Sequence, residues 1–117
     1  MNGCLTTHVL DTALGQPAYG ILIDLYKFEA DGRKHIKQMC TNADGRTDMP
    51  ILDLDAVEIC NYELIFNTGN YLMKLHKLAR EDLFLDIIPV RFSVQKKVHH
   101  HIPLLLSPFG YSTYRGS

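Results

Sequence analysis

The sequence predicts an all-β sandwich or barrel, and three observations lead there. Turn signals recur at short intervals: Gly15-Gln16-Pro17, Asp31-Gly32, Asn42-Ala43-Asp44-Gly45, Met49-Pro50, Asn67-Thr68-Gly69-Asn70 and Ser107-Pro108-Phe109-Gly110. The runs between them have strand length and are rich in β-branched and aromatic residues. Only one stretch carries a helical period. With 117 residues, of which 46% are hydrophobic and 21% charged, 1–117 reads as a single soluble globular domain.

Leu5 to Asp11 sets Thr6, His8 and Leu10 against Leu5, Thr7 and Val9, a strand with two distinct faces. Tyr19 to Phe28 follows, with Ile21, Ile23 and Leu25 sharing a face. Lys34 to Thr41 places Ile36 among lysines, which marks a half-solvated edge strand. Asn42 to Asp48 is a polar loop carrying Arg46. Ile51 to Leu54 reads as a short strand. Asn61 to Asn67 reads as a longer one, with Tyr62, Leu64 and Phe66 opposite Glu63 and Ile65. Asn70 is the expected cap of a helix from Tyr71 to Ala79. There Leu72, Leu75, Leu78 and Ala79 recur at helical spacing, while Lys74 and Lys77 face outward. So short a helix needs a sheet to pack on. Phe84 to Val94 returns to strand with Ile88, Val90, Phe92 and Val94 on one face. Pro89 cannot donate to a ladder, so this segment lies at an edge, at a bulge, or begins near the proline. His99 to Leu106 and Tyr111 to Ser117 form a closing hairpin.

A formal net charge of -1 excludes a broad attraction to nucleic acid or anionic membrane, so any anion must be held by a local site. No apolar stretch is long enough to span a bilayer. Met1 to Cys4 lacks the basic region and apolar run of a secretory signal. The three cysteines, Cys4, Cys40 and Cys60, are odd in number and widely spaced, which argues against a disulfide framework. Cys40 and Cys60 lie in alternating apolar stretches and are expected to be buried. Reduced thiols fit a cytoplasmic location, with a periplasmic or peroxisomal one the alternative if a leader has been removed.

Chemistry has few carriers in this chain. Of six histidines, His35 and His76 sit among lysines and read as surface or satisfied side chains. In the triplet His99-His100-His101, alternation places His99 and His101 with Pro103 and Leu105. His100 falls with Ile102, Leu104 and Leu106 on the more apolar side. Two histidines at i and i+2 could share a zinc ion, with His8 the only plausible third ligand. Arg46 lies in a tight polar turn, where an arginine is normally solvated. The ending Tyr114-Arg115-Gly116-Ser117 sets two polar side chains and a free terminus beside a hairpin, and is expected to be built into a site. There is no glycine-rich phosphate loop and no nucleophile elbow.

Two stretches resemble signatures of the transthyretin fold family. One is His8-Val9-Leu10-Asp11 with Gly15, Pro17-Ala18 and Ile21-Leu22-Ile23. The other is His101-Ile102-Pro103 with Leu106-Ser107-Pro108-Phe109-Gly110-Tyr111-Ser112. The resemblance covers essentially the whole chain. It implies an eight-stranded, two-sheet sandwich of the transthyretin-like (prealbumin-like) kind with one short helix. The ending Tyr114-Arg115-Gly116-Ser117 resembles that of the transthyretin-like 5-hydroxyisourate hydrolases, not that of the hormone carriers.

That likeness implies hydrolysis of 5-hydroxyisourate to 2-oxo-4-hydroxy-4-carboxy-5-ureidoimidazoline in urate (purine) degradation. It further implies a homotetramer, a dimer of dimers with sites in a channel across the dimer–dimer interface. No metal, organic cofactor, nucleic acid or membrane partner is expected. Carried over residue by residue, the catalytic positions fall on His8, Arg46 and His101, with Ser117 completing the site. His8, Arg46, Tyr114 and Arg115 are the implied substrate-binding residues. The two histidines would activate water and move protons, since an imidazole titrates near neutral pH. Arg46 would orient the substrate and stabilise an oxyanion. Ser117 would position water or a histidine. This chain departs from the family at His100, where a tyrosine is usual, and in the short basic turn from Val94 to Val98. The alternatives are a non-enzymatic transthyretin-like carrier and a metal-binding sandwich using His99 and His101.

Overall fold

Side chains sorted onto alternate faces need a second layer to cover the apolar one, and two sheets do so here. The computed structural model describes residues 4–116. Its strands are β1 (Leu5–Asp11), β2 (Gln16–Pro17), β3 (Leu22–Glu29), β4 (Gly32–Cys40), β5 (Asn61–Asn67), β6 (Ile87–Ser93), β7 (His100–Ser107) and β8 (Gly110–Thr113), with one α-helix, α1 (Gly69–His76). They form two four-stranded sheets, ordered β2-β1-β7-β8 and β4-β3-β5-β6. The eight-stranded, two-sheet expectation is met.

The core lies between the sheets. Val9, Ile21, Ile23, Leu25, Leu64, Phe66, Leu72, Leu104 and Leu106 are fully buried there. Each such side chain contributes about 1.5–3 kcal/mol relative to exposure. The expected faces hold: Leu5, Thr7 and Val9 point inward while Thr6, His8 and Leu10 are half-buried on the outer face. Ile102, Leu104 and Leu106 are likewise buried.

One pairing decides the site. β1 and β7 run parallel, with Thr6 opposite His101 and His8 opposite Pro103. All other strand pairs are antiparallel.

Several local expectations differ from the structure. Gln16-Pro17, read as part of a turn, adds a two-residue strand to β1. Of the short strand expected at Ile51 to Leu54, only Leu52 bridges to Leu5, and a 3-10 turn starts at Leu54. The helix begins earlier, because Thr68 and not Asn70 occupies its N-cap. The Thr68 hydroxyl donates to the Asp86 carbonyl at 2.7 Å, which ties the helix start to the approach of β6. The helix also stops before Leu78 and Ala79, because Lys77 takes a left-handed conformation (φ 55°, ψ 47°). Cys40 is exposed, since it ends the edge strand β4, whose side chains are open to solvent on both faces. Cys60 is half-buried against the core and Cys4 is buried. Pro89 sits on the edge strand β6, one of the placements its missing N–H allows.

Candidate active site

An open cleft of about 530 Å³ lies over the outer face of the β1–β7 pair. Its walls include Thr6 from β1, Arg46 and Asp48 from the polar loop, His99 and His101 at the start of β7, and Tyr114 and Gly116 from the tail. Met49 and Pro50 add an apolar side.

The loop that carries Arg46 is fastened at every step. The Asn42 side-chain carbonyl accepts from the Asp44 and Arg46 amides at 2.9 and 3.2 Å. The Asn42 amide donates to the Arg46 carbonyl at 2.7 Å, and the Val9 amide to the Gly45 carbonyl at 2.8 Å. Gly45 has φ +76°, and a Cβ there would collide with the Val9 carbonyl and crowd Pro17 and His8. Only glycine lets the loop lie this close to β1. The arginine is therefore exposed, but its backbone is held.

His101 is half-buried at the cleft floor. Its Nδ1 is 2.8 Å from the Thr6 hydroxyl. Its ring stacks on that of His99, with centroids 6.3 Å apart and planes 10° from parallel. The tail crosses beside it, with the Gly116 amide donating to the His101 carbonyl at 2.8 Å. A Cβ on Gly116 would come within 2.5 Å of His101 Cδ2, so glycine lets the tail pass over the ring. Burial first, then the charges of Arg46, His99 and His8, hold the His101 imidazole below its ordinary pKa of 6.5. It is thus mostly neutral at neutral pH, the state a general base requires.

The other expected residues are placed unequally. His8 does not line this cleft. Its Nε2–H donates to the Asp44 carbonyl at 2.9 Å, on the same face of β1 as Thr6 and close enough to act on His101 through its charge. Tyr114 lines the cleft, whereas Arg115 points to a neighbouring depression with Lys96 and His100. Successive residues of an extended tail face opposite ways, which separates these two. Ser117 lies outside the described residues. His99 and His101 do share a face, but among the described residues no three His, Cys, Asp or Glu side chains gather as a ligand set. Thr6 was missed by sequence reasoning. It stands two residues before His8 on the same face, but its partner lies 95 residues away.

Fold and cleft together define a two-sheet β-sandwich with an imidazole and a guanidinium on the outer face of its parallel strand pair. The chain belongs to the HIUase/Transthyretin family, whose model matches residues 5–116. It is 50% identical over 115 residues to a 5-hydroxyisourate hydrolase of Mesorhizobium japonicum, across 98% of this chain and 93% of that protein. Among solved structures, it superposes on the 5-hydroxyisourate hydrolase of Klebsiella pneumoniae with a TM-score of 0.78 at 29% identity, covering 98% of this chain and 94% of that one. It also matches an (S)-allantoin synthase with a TM-score of 0.89 at 36% identity. That match covers 99% of this chain but spans only 44% of the synthase.

Proposed function

We infer that this protein is a 5-hydroxyisourate hydrolase, which opens the ring of its substrate to 2-oxo-4-hydroxy-4-carboxy-5-ureidoimidazoline in urate degradation. One observation carries the chemical reading: Arg46 and a near-neutral His101 face the same polar cleft. Hydrolysis of a cyclic acyl–nitrogen bond needs a base for water, a cation for the carbonyl oxygen and a proton for the leaving nitrogen. His101 takes a proton from water as the new C–O bond forms at the carbonyl carbon. The Arg46 guanidinium offers its planar fork of donors to the substrate's oxygens and to the developing oxyanion. The ring C–N bond then breaks and the nitrogen takes up a proton, so that a carboxylate and an opened ring remain. His8, held at the Asp44 carbonyl on the same face of β1 as Thr6, is the second proton carrier in this reading. Tyr114 bounds the substrate from the tail, and Ser117 is the tail's remaining contribution in this reading.

The working unit in this reading is a homotetramer, a dimer of dimers. Unpaired edges at β6 and β8, with Phe84, Ile87, Tyr111 and Tyr114 exposed along them, support assembly through these regions. The free cysteines support a reducing compartment such as the cytoplasm.

The direct test generates 5-hydroxyisourate with urate oxidase and follows its ultraviolet decay with and without this protein. Acceleration over the spontaneous decay is expected. Decay at the spontaneous rate would leave the carrier reading in its place.

A further inference from the structure

We propose that Thr6 is a positioning residue for His101, holding the imidazole in the tautomer whose Nε2 is free to accept a proton. The proposal rests on His101 being the base of the hydrolytic reading.

The parallel register creates a ladder of side-chain pairs between β1 and β7. Thr6 stands opposite His101, with Oγ1 at 2.8 Å from Nδ1. One step earlier, Cys4 Sγ and His99 Nδ1 are 3.7 Å apart. The two rungs have the same plan, but only the second has a strong partner at full hydrogen-bond distance. A thiol is a weak partner, and a hydroxyl both donates and accepts well. Thr6 and His101 also both line the cleft beside Arg46, whereas Cys4 is buried.

The chemistry assigns the direction of the bond. A base at His101 must present a lone pair on Nε2, so in the neutral ring the proton sits on Nδ1 and donates to Thr6 Oγ1. Among the described residues Nε2 has no hydrogen-bond partner and Nδ1 has only Thr6. When Nε2 gains a proton, the Nδ1–H bond to Thr6 remains and becomes charge-assisted. The hydroxyl therefore favours the product of the proton transfer without consuming the atom that performs it. A carboxylate in its place would raise the imidazole pKa and leave less of the neutral base. A methyl would let the ring turn or adopt the other tautomer. The β-branched Thr6 side chain has few rotamers, so its oxygen stays on the ring.

The test compares Thr6→Val and Thr6→Ser with the intact protein, alongside His101→Ala. Nitrogen-15 spectra of the imidazoles report the tautomer without reference to activity. The expected result is an Nδ1–H ring at His101 in the intact protein and in Thr6→Ser, and a mixed or reversed population in Thr6→Val. In turnover, Thr6→Val should lose about tenfold in kcat with KM little changed, and Thr6→Ser should recover most of it. The acidic limb of the rate profile should move to lower pH in Thr6→Val, because an acceptor for the imidazolium is gone. An Nε2–H ring in the intact protein would overturn the proposal whatever the kinetics. So would a Thr6→Val enzyme with wild-type kcat while His101→Ala is inactive. A raised KM with unchanged kcat would instead make Thr6 a substrate contact and also overturn it. Wild-type activity in His101→Ala would defeat the base assignment itself, and the positioning role with it.

Discussion

His76 and His101 are both partly buried imidazoles at the borders of the same sheet, yet their surroundings are opposite. His76 Nε2 donates to the Asp11 carboxylate at 2.8 Å. That carboxylate is fully buried and also accepts from the Tyr71 hydroxyl at 2.7 Å and the Leu14 amide at 2.9 Å. Burial alone would raise the Asp11 pKa, but the Leu14, Tyr71 and His76 bonds outweigh it and bring the carboxyl below its ordinary value. Every strong partner in that cluster is used, and it fastens the end of β1 to α1. His101 has a neutral hydroxyl on one nitrogen and Arg46 nearby, and among the described residues no carboxylate is bonded to it. The first environment holds a histidine in place; the second leaves one available for proton transfer. What separates structure from chemistry here is the partner, not the residue type.

The comparison breaks most plainly by truncation. His101→Ala should lower kcat/KM by about a hundredfold with little change in melting temperature. His76→Ala should keep activity within about threefold and lose about 1–2 kcal/mol of stability. Matched urate-oxidase-coupled assays and denaturant melts check both. Equal losses of activity would abolish the distinction.

Asp11→Asn is next in size. It replaces an acceptor of three hydrogen bonds by a group that presents two donors, at a cost of about 1–3 kcal/mol. The sign with pH follows from the depressed carboxyl. Its stabilising contribution is complete above the ordinary value of 3.8 and is lost as the pH falls through the lower folded value. Denaturant melts should therefore show the gap between Asp11→Asn and the intact protein narrowing in acid below that point. A gap independent of pH would remove the charged role of Asp11.

The smallest expected change sharpens the His101 side. Arg46→Ala should cost at least about tenfold in kcat/KM. It should also move the acidic limb upward, toward the ordinary histidine value of 6.5, because a repelling cation has gone. An unmoved limb would mean that burial and the neighbouring imidazoles, not Arg46, depress His101.

Much of the fold was legible. Leu5 to Asp11 and Asn61 to Asn67 keep the limits expected of them, because alternation over seven residues is a strong local pattern. The edge character of Lys34 to Thr41 was also legible from its lysines. Boundaries set by tertiary bonds were not. Thr68 displaces Asn70 at the helix start because the Asp86 carbonyl reaches its hydroxyl. Cys40 looked buried because period-2 alternation assigns faces but cannot say whether a strand has a covered face. His76 was readable as a satisfied side chain, but its buried partner Asp11, 65 residues away, was not. The cleft was half legible. His101, Arg46 and Tyr114 were named from sequence, whereas Thr6 and the outward turn of Arg115 were not.

By itself, the sequence determined an all-β sandwich or barrel with faces assigned strand by strand, a tight polar turn at Arg46, and a histidine facing away from the Ile102-Leu104-Leu106 stripe. These are consequences of local sterics and alternation, which act over a few residues. Only the tertiary structure decided that β1 and β7 run parallel in the register that sets Thr6 against His101. It also decided that Arg46 rather than His8 shares the cleft wall. Parallel neighbours are joined by burial of the common core, not by a local turn, so their pairing is settled by packing across 95 residues of chain.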